Sequence, residues 1–231
     1  GSSSGSGGSA ARDFSSINKS DDNQPDNNRD NNQPDKTAAE FDDMANSQWA
    51  AEAVNYLVAN GIVSGVSDVK FEPERKVTRE EFTAMLVRAM SINESSAVST
   101  AFTDVDNSAW YAPYIRTAFG KGIVNGMSDS YFGIGLPITR QDMAVMLEKA
   151  IALQGIKIEE TKEMPDFSDM QLISDYALTA VEKICKYGIM NGISNTEFAP
   201  RSNATRAMAA QVIYGMLVNG EKTNNDGQSD I

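Results

Sequence analysis

Three stretches of this chain carry apolar residues in adjacent pairs, four positions apart. Ala53, Val54, Leu57 and Val58 fall at i, i+1, i+4 and i+5, one face of a helix. Tyr114, Ile115, Ala118 and Phe119 repeat the pattern, and Ala180, Val181, Ile184 and Cys185 repeat it again. Each stretch begins near an aromatic residue (Trp49, Trp110 or Tyr176) and stops at Gly61, Gly122 or Gly188, the place for a left-handed C-terminal cap. A second helix is predicted after an irregular loop that contains Phe71-Glu72-Pro73 or Phe198-Ala199-Pro200. Its apolar stripe is Phe82, Met85, Leu86 and Ala89, then Met143, Met146, Leu147 and Ala150, then Ala209, Val212, Ile213 and Met216. A threonine opens each one. Thr78-Arg79-Glu80-Glu81 is a capping box, Thr139-Arg140-Gln141-Asp142 a shorter-armed version, and Thr205-Arg206-Ala207-Met208 keeps the cap without the acid.

These pairs belong to one unit written three times. Gly61-Ile62-Val63-Ser64-Gly65, Gly122-Ile123-Val124-Asn125-Gly126 and Gly188-Ile189-Met190-Asn191-Gly192 align without gaps. Phe71, Phe132 and Phe198 follow at one fixed distance and the Thr-Arg pairs at another, giving a period of about 61 to 66 residues. A two-helix unit of that size buries too little surface to stand alone, so the copies must share a core. The expected object is mostly α, with three helix-loop-helix repeats in a pseudo-threefold arrangement around a central helical bundle. The repeats are placed at 40–100, 101–164 and 165–218, connected through 91–101 and 152–166, with a polar tail over 219–231. Residues 1–39 are Gly/Ser and then Asn/Asp/Gln/Pro-rich, a composition that cannot offset its ordering entropy. They read as an expression leader followed by a disordered linker, with the repeats at the C-terminal end of a larger protein.

Composition narrows the chemistry. Histidine is absent, which removes Ser-His-Asp and Cys-His catalysis and His-based zinc sites. The lone Cys185 reads as a buried core thiol. A net charge of −12 excludes the basic stripe of a nucleic-acid binder. No apolar run reaches the roughly 20 residues that span a bilayer, so no membrane insertion is expected. Asp104-x-Asp106-x-Ser108 departs from a calcium loop, with Ala109 at the turn glycine and Ile115 at the bidentate acid. Among 32 acids some close pair is inevitable, yet none stands apart from a cap or a solvated face. No catalytic residue, metal or cofactor is therefore assigned, and the chain is expected not to be an enzyme.

The copies open with Phe41-x-Asp43-Met44, Phe102-x-Asp104-Val105 and Phe167-x-Asp169-Met170, followed by Trp49 and Trp110, the Gly-Ile-x-x-Gly element and Val-Thr-Arg-Glu-Glu or Ile-Thr-Arg-Gln-Asp. This pattern resembles a tandem of three S-layer homology domains over about residues 41–217. The resemblance implies an extracellular module that anchors bacterial surface proteins non-covalently to the cell wall. The implied ligand is a secondary cell-wall polysaccharide, often ending in pyruvylated N-acetylmannosamine, bound in grooves between neighbouring repeats.

The resemblance also marks groove-lining candidates. Arg79, Arg140 and Arg206 sit in a first helical turn, where a cation opposes the helix dipole. A guanidinium there can hold a carboxylate with two parallel hydrogen bonds, beside free helix amides, or it can tie a neighbour's backbone. Asp43, Asp104 and Asp169 can accept from sugar hydroxyls or cap the first helix. Trp49 and Trp110 can meet a sugar's apolar face or plug the repeat interface; Tyr176 stands at the third position, one residue later. Gly65, Gly126 and Gly192 can admit a close ligand or serve as turns. A monomer with an internal pseudo-trimer is expected, the alternative being a self-assembly module of a surface lattice.

Overall fold

A computed structural model describes residues 40–94 and 99–225; the expected leader and linker lie outside the described residues. Each copy yields two helices. The first has α1 (Ala51–Ala59) and α2 (Arg79–Ala89), the second α3 (Ala112–Gly120) and α4 (Arg140–Gln154), the third α5 (Leu178–Lys186) and α6 (Arg206–Asn225). A 3₁₀ turn over Ala45–Ala50 leads into α1, and another over Asp175–Ala177 leads into α5. Gly61, Gly122 and Gly188 follow α1, α3 and α5 at φ of 66°, 73° and 69°, a conformation that ends a helix at no side-chain cost.

The threonines open the second helices as their neighbours dictate. Thr78 accepts from the Glu81 amide while the Glu81 carboxylate accepts from the Thr78 amide. Thr139 accepts from the Asp142 amide and donates its hydroxyl to the Asp142 carboxylate. Thr205 accepts from the Met208 amide, and Met208 has no acid to return. The last helix, α6, runs on past residue 218 to Asn225. Its support continues with it: Asn219 donates to the Tyr187 carbonyl, and Gly220 lies against Ile156 of the connection before the third repeat.

The helices pack in a closed order. α3 lies on α2, α5 on α4, and α1 on α6, so the last repeat returns to the first, while α2, α4 and α6 touch one another. A ring of backbone hydrogen bonds fastens this order just ahead of the second helices. The Val77 amide donates to the Ala204 carbonyl, Ala204 to Ile138, and Ile138 back to Val77. Two residues later in each copy the Arg79 amide donates to Leu136, Arg140 to Ser202, and Arg206 to Arg75. Each bond contributes about 0.5–1.5 kcal/mol net, so the six together equal or exceed the contribution of a large buried side chain.

The core is continuous through all three copies. In each, the opening phenylalanine tilts against the loop phenylalanine, Phe41 on Phe71, Phe102 on Phe132 and Phe167 on Phe198, at 5.7, 5.6 and 5.8 Å between ring centres. Phe71, Phe132 and Phe198 are fully buried, which fixes the loops that carry the candidate site residues.

Candidate functional site: the seams between repeats

Every motif arginine leaves its own repeat and enters the next one. Arg206 donates from Nε to the Phe71 carbonyl at 2.9 Å and from Nη2 to Ser64 at 3.0 Å. Arg140 does the same to Phe198 at 2.9 Å and Asn191 at 2.5 Å. Arg79 reaches Asn125 at 2.8 Å, but its Nε is buried without a partner. The guanidinium carbons lie 4.7, 4.8 and 5.2 Å above the rings of Phe71, Phe198 and Phe132, in cation–π range. Arg140 and Arg206 are 5% and 8% exposed. Burial pulls all three guanidinium groups below their ordinary pKa, opposed at Arg79 by Asp142 and at Arg206 by Glu81. The arginines thus tie the neighbour's backbone. The helix amides expected to lie free beside them are also taken, by Leu136, Ser202 and Arg75.

The aspartates serve the same loops from the other side. Asp43 accepts from the amides of Phe71 and Glu72, and Asp169 from those of Phe198 and Ala199. Asp104 accepts from Phe132, Gly133 and Ile134. Burial raises the Asp104 pKa, but the three amides outweigh it and leave the carboxyl below its usual value. None of the aspartates caps a first helix. They hold the residue after each phenylalanine in a left-handed turn, with Glu72 at φ 57°, Ala199 at 56° and Gly133 at 99°.

At Gly65 a side chain has no room. A Cβ there would stand 2.5 Å from the Ser67 carbonyl oxygen and 2.6 Å from the Phe41 ring, and Gly126 and Gly192 are crowded by Phe102 and Phe167 in the same manner. The residues just before these glycines (Ser64, Asn125, Asn191) supply the carbonyls that receive the arginines. Trp49 is exposed on the 3₁₀ turn that packs against α6. Trp110 is half-buried and meets Tyr111 edge-on at 5.6 Å. Tyr176 projects to solvent, yet its hydroxyl donates to Asp142 at 2.8 Å and accepts from Gln141 at 3.0 Å.

The seam between the first two repeats holds an open cleft of about 120 Å³. Its walls are the 62–66 segment, Arg75, Glu81, Met85 and Arg88 of the first repeat, Trp110 of the second, and Arg206 of the third. Arg75 is neutralised where it stands, donating two hydrogen bonds to Glu81 and pairing with Glu72 at 2.9 Å. Arg206 contacts carbonyls, and Arg88 donates to the Tyr114 hydroxyl at 3.1 Å with its guanidinium 4.8 Å above that ring. Oxygens without full charge hold both cations in place. Of this group the sequence reading named Arg206, Trp110 and Gly65. It passed over Arg75 and Arg88 because neither charge recurs in all copies, which is itself the signal that could have exposed them.

Comparison with known proteins agrees with this architecture. The S-layer homology domain matches at residues 40–83, 101–144 and 166–210, one match per repeat. The chain is 39% identical over 197 residues to an amylopullulanase of Thermoanaerobacterium thermosulfurigenes, covering 83% of this chain and 10% of that protein. It is 37% identical over 190 residues to the exoglucanase XynX of Acetivibrio thermocellus, covering 82% of this chain and 17% of that one. Against the S-layer protein sap of Bacillus anthracis the identity is 27% over 173 residues, 75% of this chain and 20% of that protein. The chain therefore spans a fifth or less of the length of these relatives. It belongs to the S-layer homology domain family, as three tandem copies, and that family places it at the bacterial cell surface as a cell-wall anchoring module. Among the described residues no helix is long and apolar enough to cross a membrane.

Proposed function

We propose that the anchoring ligand is a secondary cell-wall polysaccharide, recognised through a terminal pyruvylated amino sugar. On this reading the closed packing order expresses an approximate threefold axis, and the seams between repeats are the binding grooves. The observation that carries it is the first cleft, where an aromatic wall, Trp110, faces two guanidinium groups held by neutral oxygens. An indole packs against the apolar face of a sugar ring, and a guanidinium fork donates two parallel hydrogen bonds to the pyruvyl carboxylate. Arg206 and Trp110 are the ligand contacts, with the Gly65 backbone alongside. Asp43, Asp104 and Asp169 position the loops, and Arg79, Arg140, Trp49, Gly126 and Gly192 take equivalent places at the other seams. The volume is below the roughly 300–1,000 Å³ of ordinary small-molecule sites, which suits one chain-terminal residue better than an oligosaccharide.

The test is co-sedimentation and calorimetry with purified wall polysaccharide, before and after mild acid removes its pyruvate. Binding that vanishes with the pyruvate supports the proposal; equal binding to both forms refutes the carboxylate reading. Light scattering against concentration separates the anchor from a lattice former. A chain that stays monomeric without glycan is an anchor, and one that associates alone is the alternative.

A further inference from the structure

The three seams are built on one plan but carry different chemistry. At the first, the second helix and the loop before it supply Arg75, Glu81 and Arg88. The equivalent residues at the second seam are Leu136, Asp142 and Lys149, and at the third Ser202, Met208 and Gly215. With the arginine from the preceding repeat added, the wall of the first cleft carries three arginines and Glu81, in a chain of net charge −12, with Glu72 paired to Arg75 and Glu94 bonded to the Tyr114 hydroxyl just behind it. The second gathers two cations against one, and the third has no cation on its second helix, only Arg140 from the preceding repeat and Lys162, which is tied to the Asn191 side chain. The aromatic residue differs as well. Trp110 forms an open wall, whereas Tyr176 is tied by its hydroxyl to Asp142 and Gln141 at the mouth of α4, across the place where the second cleft would open.

Resting on the reading of the preceding subsection, we propose that the seams are unequal, that the chain takes one anionic sugar per molecule at the first seam, and that Arg88 is the residue that sets this choice. Arg75 is neutralised by Glu81 and Glu72, and Arg206 is committed by two of its nitrogens to carbonyls. Arg88 offers its remaining fork from a ring-stacked, pre-ordered position, so little side-chain entropy is lost on binding. Lys149 at the second seam is a flexible point charge without that geometry. The third seam, with Gly215 at this position, has no cation there at all.

The experiment is calorimetry of the full chain with the pyruvyl ketal of methyl N-acetylmannosaminide, using the unpyruvylated glycoside as control. One molecule per chain is expected. Arg88→Gln should weaken binding about tenfold or more, Arg88→Lys should keep part of the affinity, and Lys149→Gln should change nothing. Thermal midpoints recorded alongside separate lost contact from lost fold, and the stoichiometry of the unaltered chain needs no variant. Two or three equal sites, or an equal loss from Lys149→Gln, overturns this proposal alone. No binding to the unaltered chain overturns the underlying ligand assignment and this proposal with it.

Discussion

Arg206 and Phe71 stand 135 residues apart and are joined twice, by a 2.9 Å hydrogen bond from the guanidinium to the carbonyl and by stacking of the cation 4.7 Å above the ring. The same peptide unit is gripped from its other side, since its N–H, that of Glu72, donates to Asp43. The last repeat and the opening of the first therefore hold one loop between them.

This joint reverses a simple expectation about the motif arginines. A purely ligand-binding arginine could be replaced without loss of stability. Arg206→Ala instead removes two hydrogen bonds to carbonyls and a cation–π contact from a nearly sealed site, at a cost of about 2–4 kcal/mol. Arg140→Ala should match it, and Arg79→Ala should cost less, because Arg79 has one carbonyl partner and an unpartnered Nε. Thermal or urea unfolding checks the order Arg206 and Arg140 above Arg79.

Acid should loosen the loops. Burial raises the pKa of Glu81, but Arg75 and the Thr78 amide outweigh it, and amides likewise hold Asp104 below its usual value. In the unfolded chain these acids take protons near their ordinary pKa of about 4. The folded chain takes them only at lower pH, so the unfolded state binds more protons in between and stability falls as pH drops. Thermal midpoints should be flat above about pH 5 and decline below pH 4, and Asp104→Asn should flatten part of that decline.

Alkali acts on the second seam. Desolvation and the facing Asp142 carboxylate push the Tyr176 hydroxyl up to about 12. Its folded pKa exceeds the unfolded value of about 10, so the contribution is present below pH 10 and is lost as pH rises toward 12. Burial raises Tyr114 as well, so phenolate absorbance should show a late-ionising fraction that Tyr176→Phe reduces without abolishing.

Cys185 should be silent in the native state. It is 2% exposed, and burial raises its thiol to about 11 despite the nearby Arg140. Thiol reagents at pH 8 should label it only after unfolding, so its labelling rate reads out global opening.

Gly126→Ala should destabilise by about 1–3 kcal/mol, since the added methyl meets the Phe102 ring and two backbone oxygens with nowhere to move. Circular dichroism melts measure this without any ligand.

The elements themselves were written plainly in the sequence. Thr78, Thr139 and Thr205 announced the second helices, and Gly61, Gly122 and Gly188 closed the first ones, because capping and left-handed turns depend on residues a few positions away. What could not be read was the partner of each arginine. In a repeated sequence Phe71, Phe132 and Phe198 are equivalent addresses, and only the three-dimensional order sends Arg206 to the first of them. The aspartates were hidden for a related reason, as an amide trio 28 to 30 residues ahead leaves no local signature. Arg75 and Arg88 were missed by attention to what recurs, although the cleft is made distinctive by what does not.

The ring that runs Val77 to Ala204 to Ile138 and back has a mechanical corollary. An open row of domains yields to tension one member at a time, from whichever end is pulled. Here the cleft draws walls from all three copies, and the end copies clasp each other. Tension applied at either terminus therefore confronts the whole assembly at once, and the fold should give way in a single rupture rather than by peeling.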